Sequence, residues 1–190
     1  MARLAMVVML IFLVITMPLA QTQEDGSDQV SWANRNDNGK ETVTNLQFYF
    51  HDTLSGKNPS AVRVAQANQT NTSPTGFGVL MMVDDPLTVA PDPNSKLVGR
   101  ARGFYGSAGQ TELALIMVMN FGFTGGIYNG SSFTIATLNP ALNPVRELSI
   151  VGGTGIFRLA RGYVIARTYS LDPTTGNAIV GYNATLVTFI

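Results

Sequence analysis

Two residue types in this sequence invite chemistry: a carboxylic acid and a guanidinium. Asp52 follows Leu46, Phe48 and Phe50 at steps of two. Residues two apart share one face of an extended strand, so the Asp52 carboxyl continues an apolar face. Partial desolvation there raises a carboxyl pKa and makes the group a candidate proton donor. The other reading ends the strand at His51 and leaves Asp52 to cap a turn. Arg146 stands just after Pro144, where another alternating run begins. A planar cation on a cavity rim can hold a phenolate or carboxylate oxygen, or it can pair on the surface with Glu147. Tyr105 shares a strand face with Gly99, Ala101 and Gly103, and Thr168 shares one with Ala160, Gly162 and Ala166. Small residues on a face either open a cavity beside the larger ones or relieve a bend. Asp84-Asp85 resembles a cation site, but Pro86 follows, and the pattern predicts a turn. Gly152-Gly153-Thr154-Gly155 has no helix-forming stretch after it and predicts a hairpin turn rather than a phosphate loop.

Composition removes other chemistries. The chain has no cysteine and a single histidine, His51, so a disulfide scaffold, a Cys-ligated zinc and a multi-His metal site are excluded. No G-x-S-x-G elbow accompanies His51. Twelve basic and twelve acidic residues leave a net charge of zero. No basic stripe suits nucleic acid, and no polybasic segment suits an anionic membrane.

The elements that must position these groups are strands. From Thr44 onward, alternating segments are separated by turn residues such as Ser55-Gly56-Lys57-Asn58-Pro59, Ala90-Pro91-Asp92-Pro93-Asn94, Tyr128-Asn129-Gly130 and Asp172-Pro173. The runs are Leu46–His51, Val62–Val64, Gly78–Val83, Lys96–Tyr105, Leu113–Phe121, Phe133–Leu138, Arg146–Val151, Phe157–Tyr169 and Ala178–Phe189. Strands at this spacing, with no helical pattern between them, predict an all-β chain that closes into an antiparallel barrel or sandwich. At 190 residues one such domain is expected, over residues 44–190.

The N-terminal segment has another use. Residues 1–20 carry Arg3, an apolar run from Leu4 to Ile15, and Pro18-Leu19-Ala20 before a cleavage point. This is the layout of a secretory signal peptide, too short and wrongly flanked for an anchor. Four N-x-S/T sequons, at Asn68, Asn71, Asn129 and Asn183, fit a secreted glycoprotein. Residues 21–43 are polar and read as a flexible arm, with the sole tryptophan, Trp32, inside it.

Several ordered blocks now resemble one family. They are Phe48-Tyr49-Phe50-His51-Asp52, Asp84-Asp85-Pro86-Leu87-Thr88, Val98-Gly99-Arg100-Ala101-Arg102-Gly103-Phe104-Tyr105, Tyr128-Asn129-Gly130-Ser131-Ser132 and the run from Val145 to Tyr163. Over about residues 45–189 the chain resembles plant dirigent proteins. The resemblance implies an eight-stranded antiparallel β-barrel, assembly as a homotrimer, and secretion to the apoplast. It implies no cofactor and no metal. A separate laccase or peroxidase makes phenoxy radicals from a monolignol of the coniferyl alcohol type, and the barrel orients them so that coupling gives one enantiomer. Carried onto this sequence, the family's cavity acid falls on Asp52, its tyrosine on Tyr105, its arginine on Arg146 and a lining threonine on Thr168. Phe50 joins the lining on the Asp52 face. Asn139 stands where pinoresinol-forming members carry a second aspartate, and their cysteine pair is missing. That leaves Asp52 as the expected single cavity acid. It also turns the resemblance toward the broad second group, which includes pterocarpan synthases that close a ring by dehydration through a quinone methide. Three functions are therefore expected as alternatives: a non-oxidising guide in lignan or phenylpropanoid biosynthesis, a dehydratase of pterocarpan-synthase type, and a ligand-binding barrel in defence or cell-wall assembly.

Overall fold

The structure, a computed structural model, describes residues 39–189. The signal peptide, Trp32 and the arm as far as residue 38 lie outside the described residues. The strands are β1 (Glu41–Asp52), β2 (Ala61–Ala65), β3 (Leu80–Thr88), β4 (Leu97–Ser107), β5 (Ala114–Phe123), β6 (Ser132–Pro140), β7 (Arg146–Thr154), β8 (Arg161–Leu171) and β9 (Ala178–Phe189). Strand β1 begins at Glu41, so the last residues of the segment read as an arm are already paired.

Every pairing is antiparallel, in the order β1-β9-β8-β7-β6-β5-β4-β3, and β3 returns to β1 through Tyr49↔Thr88 and Phe50↔Leu87. The sheet thus closes into the eight-stranded barrel that the resemblance implied, and closure removes exposed sheet edges. Strand β2 is an addition: it pairs with the first half of β3, where β1 does not reach.

Period-two alternation decides what fills the barrel. On β5, Met117, Met119, Phe121 and Phe123 point inward, and on β9, Val180, Tyr182, Ala184 and Leu186 do the same. Toward one end the interior is a solid aromatic plug. Phe121 stacks on Phe133 at 4.9 Å, Phe123 meets Phe157 edge-on at 6.0 Å, and Phe48 touches Phe121, Phe123, Phe133 and Tyr182 at 5.7–6.4 Å. Such pairs add to area burial and keep this end rigid. At the other end no aromatic cluster fills the bore, and a cavity remains.

Three expectations are corrected. Asp84-Asp85 is not a turn but the middle of β3. Pro86 is tolerated there because it lies where β1 and β2 part. Asp84 N–H points to that side, onto Ser60 O, and the missing donor of Pro86 falls on the same side. Gly152 and Gly153 belong to β7 rather than to a hairpin turn, and the chain turns only at Gly155–Phe157. The run Phe157–Tyr169 is therefore no single strand, since β8 starts at Arg161.

The two readings of the small residues are also resolved. Gly103 and Gly162 have φ of 154° and 147°, and a Cβ on them would lie 2.1 Å from Val118 O and 2.0 Å from Thr185 O. They allow close approach of neighbouring strands where the barrel coils, and neither lines the cavity.

Candidate functional site

The open end of the barrel holds a cavity of about 310 Å³, at the lower end of the range for small-molecule sites (~300–1,000 Å³). Its floor is Phe50 lying flat on Tyr182, 5.6 Å between rings and 5° between planes. Below that floor the aromatic plug begins. The wall carries Asp52, Tyr105, Asn139, Arg146 and Thr168. All six residues singled out in the sequence, Phe50 included, therefore face one space.

Barrel order separates them into two groups. Asp52 comes from β1 and Tyr105 from β4, with β3 between them. Asn139, Arg146 and Thr168 come from β6, β7 and β8. Going round the eight strands, β3 and β7 are diametrically opposite. An acid–phenol pair thus faces a guanidinium across the mouth.

On the acid side, the Tyr105 hydroxyl donates to Asp52 Oδ2 at 2.9 Å. Burial pushes the Asp52 carboxyl up to about 6, although the Tyr105 hydrogen bond pulls the other way. Burial, and then the charge of Asp52, push the Tyr105 phenol up, so it stays protonated as a donor. The turn-capping reading of Asp52 is overturned: it is the last residue of β1, aimed inward.

On the cationic side, Arg146 is buried, not paired on the surface with Glu147. Its Nη1 donates to Asn143 O and to Thr168 Oγ1, both at 2.9 Å, and its Nε to Asn139 Oδ1 at 3.3 Å. Burial pushes its pKa down, yet a guanidinium keeps its proton. Those acceptors are neutral, so the positive charge remains available to an incoming oxyanion. The amide of Asn139 is spent on this grip: its Nδ2 faces Met117 Sδ at 3.2 Å.

One buried acid was missed in the sequence. Asp85, also directed inward from β3, is completely buried and accepts from the Ser60 hydroxyl. Its burial, and then the neighbouring Asp52 charge, push its carboxyl up to about 8. Asp52 is therefore not the only acid at this end of the barrel. The signal was present as Met81, Val83, Asp85 and Leu87 at steps of two, but Pro86 masked it.

His51 faces away from the cavity. Thr88 Oγ1 donates to Ala90 O, so it must accept from His51 Nε2–H at 2.7 Å, which fixes the tautomer. Burial lowers the His51 pKa and keeps the ring neutral. Among the described residues, no cluster of three His, Cys, Asp or Glu side chains is placed to hold a metal. Asn68, Asn71, Asn129 and Asn183 are all exposed.

Comparison with known proteins agrees with this architecture. The family model described as "Dirigent-like protein" matches residues 43–187. Dirigent protein 23 of Arabidopsis thaliana is 58% identical over 180 residues, covering 94% of this chain and 95% of that one. Pterocarpan synthase 1 of Glycyrrhiza echinata is 50% identical over 145 residues, covering 76% and 77% of the two chains. A solved structure of a pterocarpan synthase dirigent protein superposes with a TM-score of 0.73 at 48% identity, covering 79% of this chain and 90% of that one. The chain belongs to the dirigent family.

Proposed function

We propose that this protein is a non-oxidising stereochemical guide: it holds a phenolic intermediate in the barrel mouth so that bond formation gives one stereoisomer. The observation that carries the reading is the opposition of Asp52–Tyr105 and Arg146 across an apolar-floored cavity. A phenolate or carbonyl oxygen at Arg146 fixes one end of a planar molecule, and the acid addresses the other. Holding reactants in one relative geometry removes orientational freedom before the barrier.

In the first reading the intermediates are monolignol phenoxy radicals supplied by a separate laccase or peroxidase, in lignan or phenylpropanoid biosynthesis. The second reading is dehydrative ring closure of the kind named for the pterocarpan synthases. The Asp52 carboxyl favours it, because at about 6 it is half protonated in mildly acidic solution. Protonated Asp52 would pass its proton to a leaving hydroxyl as the C–O bond breaks. Water departs, and a phenol on the same substrate loses its proton to give a quinone methide. An internal hydroxyl then adds to the methide carbon and returns a proton to Asp52, while the restored phenolate takes one from solvent. The net loss is one water.

The wider setting belongs to the same proposal. The N-terminal signal supports secretion to the apoplast, and the exposed sequons support N-glycosylation. A homo-oligomer, a trimer by family likeness, is supported by an apolar row on the outer face. In register across β2 to β6 stand Val62, Met82, Phe104, Val118 and Ala136, with Ile116 and Leu138 exposed beside them. A contiguous patch of this kind marks an interface. Light scattering of the secreted protein tests it, and a monomer at micromolar concentration contradicts it.

The function is tested by incubating the protein with coniferyl alcohol, with and without a laccase, and separately with an isoflavanol. Chiral chromatography reads the products. Enantiomeric excess only with the oxidase supports the first reading, and oxidase-free dehydration of the isoflavanol supports the second. Binding of either phenol without any change in product reduces the barrel to a ligand carrier.

A further inference from the structure

The ladder between β1 and β3 stops at Phe50↔Leu87. Two residues further in the same antiparallel register, Asp52 comes opposite Asp85, and both side chains are directed inward. The backbones part there because Ser60 is wedged between them. Its N–H donates to Thr53 O, its carbonyl accepts from Asp84 N–H, and its hydroxyl donates to Asp85 Oδ1. Tyr105 takes Asp52 Oδ2. Two buried side-chain oxygens are left without a partner among the described residues, Asp52 Oδ1 and Asp85 Oδ2. Both are acceptors when ionised, and leaving them so would cost the desolvation of each. The two carboxyls are close enough for the charge of Asp52 to act on Asp85, and one proton shared between them would satisfy both oxygens.

We propose that Asp85 is a positioning residue for Asp52: it keeps a proton on Oδ2 and donates it to Asp52 Oδ1. The Asp52 carboxyl is then held by two donors, Tyr105 on one oxygen and Asp85 on the other. When Asp52 gives up its own proton, the charge left behind is already solvated by the protein. The groups that face Asp85 pull in both directions. Burial, and then Asp52 on β1, raise it, with Asp84 on β3 adding to them, while the Ser60 hydroxyl and Arg100 on β4 lower it. Tyr105 on β4 and Tyr182 on β9 are both held in the protonated form by burial. Asp85 at about 8 therefore retains its proton where Asp52, at about 6, has surrendered half of its own. Only the use made of Asp52 rests on the proposed function; the pairing itself needs no substrate.

The test is a carboxyl carbon-13 NMR titration of the folded mature protein, aspartate-labelled, as wild type, Asp52→Asn, Asp85→Asn and Asp85→Val. The wild type should show two high-titrating carboxyls separated by more than about one pH unit, the mark of interacting sites. In Asp52→Asn the Asp85 step should fall by about one unit or more, because the neighbouring charge is gone. In Asp85→Asn the upper step should vanish while Asp52 titrates no higher than before, since an amide still donates. In Asp85→Val the Asp52 step should rise, since the donor is lost. Circular dichroism accompanies each variant. Should Asp85→Val fail to fold, Asp52→Asn decides alone, for it leaves Asp85 untouched. Asp85 titrating in the ordinary carboxylate range, or staying put in Asp52→Asn, would overturn the pairing. A coupled titration in a protein inactive on every phenol tried would keep the pair and sink the proposed function; stereoselective activity without coupling would do the reverse.

Discussion

The Tyr105 hydroxyl reaches from β4 past β3 to donate to Oδ2 of Asp52 on β1, at 2.9 Å. The bond stabilises the ionised form of a carboxyl that burial otherwise pushes up to about 6. Tyr105→Phe keeps the ring and removes the donor. A hydrogen bond to a charged group contributes ~1.5–3 kcal/mol, so the Asp52 titration should move up by about one to two pH units. Carboxyl carbon-13 NMR reads it directly; an unmoved titration would mean the bond contributes nothing to the acid.

On the opposite wall, Arg146 grips Asn139, Asn143 and Thr168 through three separate hydrogen bonds. Arg146→Lys keeps the charge but cannot reproduce that fork. The expected result is weaker binding of a phenolic substrate, about tenfold in KM for one lost charge-assisted contact, with a smaller change in kcat. Equal loss in the two constants would place the guanidinium in the bond-making step instead.

The paired acids give stability a pH dependence. Asp52 and Asp85 both lie above their ordinary value of 3.8, so the fold favours their protonated forms. The stability they contribute is complete below about pH 4, then lost as pH rises through about 6 for Asp52 and about 8 for Asp85. The loss is on the order of a few kcal/mol. Thermal melts should give a lower Tm at pH 8 than at pH 5, and Asp85→Asn should shrink that difference. A wild-type Tm that rises between pH 5 and pH 8 would contradict the placement of both carboxyls.

The resemblance puts an aspartate of pinoresinol-forming members where this chain has Asn139, and the structure gives a change there a local consequence. Its Oδ1 accepts from Arg146 Nε at 3.3 Å. Asn139→Asp places a carboxylate against that guanidinium, which holds it ionised and offsets the charge of Arg146. In a coniferyl alcohol assay with laccase, the variant is expected to gain enantiomeric excess in pinoresinol. Unchanged product would place the difference elsewhere in the lining.

Much of this site was legible from alternation, and the limits of that legibility are physical. Period two fixes the face of a residue once its strand is known, so Leu46, Phe48 and Phe50 put Asp52 on the inward face only if the strand runs on to it, which alternation alone left open. The same rule would have carried Asp85 inward from Met81 and Val83, but Pro86 reads as a breaker. Only the parting of β1 and β2 around Ser60 makes a proline acceptable inside β3. Nor could local spacing join Asp52 to Tyr105, 53 residues away: that contact follows from barrel closure between β1 and β3. For the glycines, sequence permits both an open cavity and a close strand approach, and only the distances to Val118 O and Thr185 O decide.

The most direct test of the central claim is product stereochemistry with Asp52→Asn. The amide keeps the shape of the side chain and removes the titrating group. With the true phenolic substrate, wild-type protein should give one enantiomer in excess, or accelerate dehydration. Asp52→Asn, still folded by circular dichroism, should give racemic product or a rate lower by ~10²–10⁴-fold, the usual contribution of a positioned general acid. Full stereoselectivity and full rate in the variant would contradict the account, and the barrel would then act by shape alone.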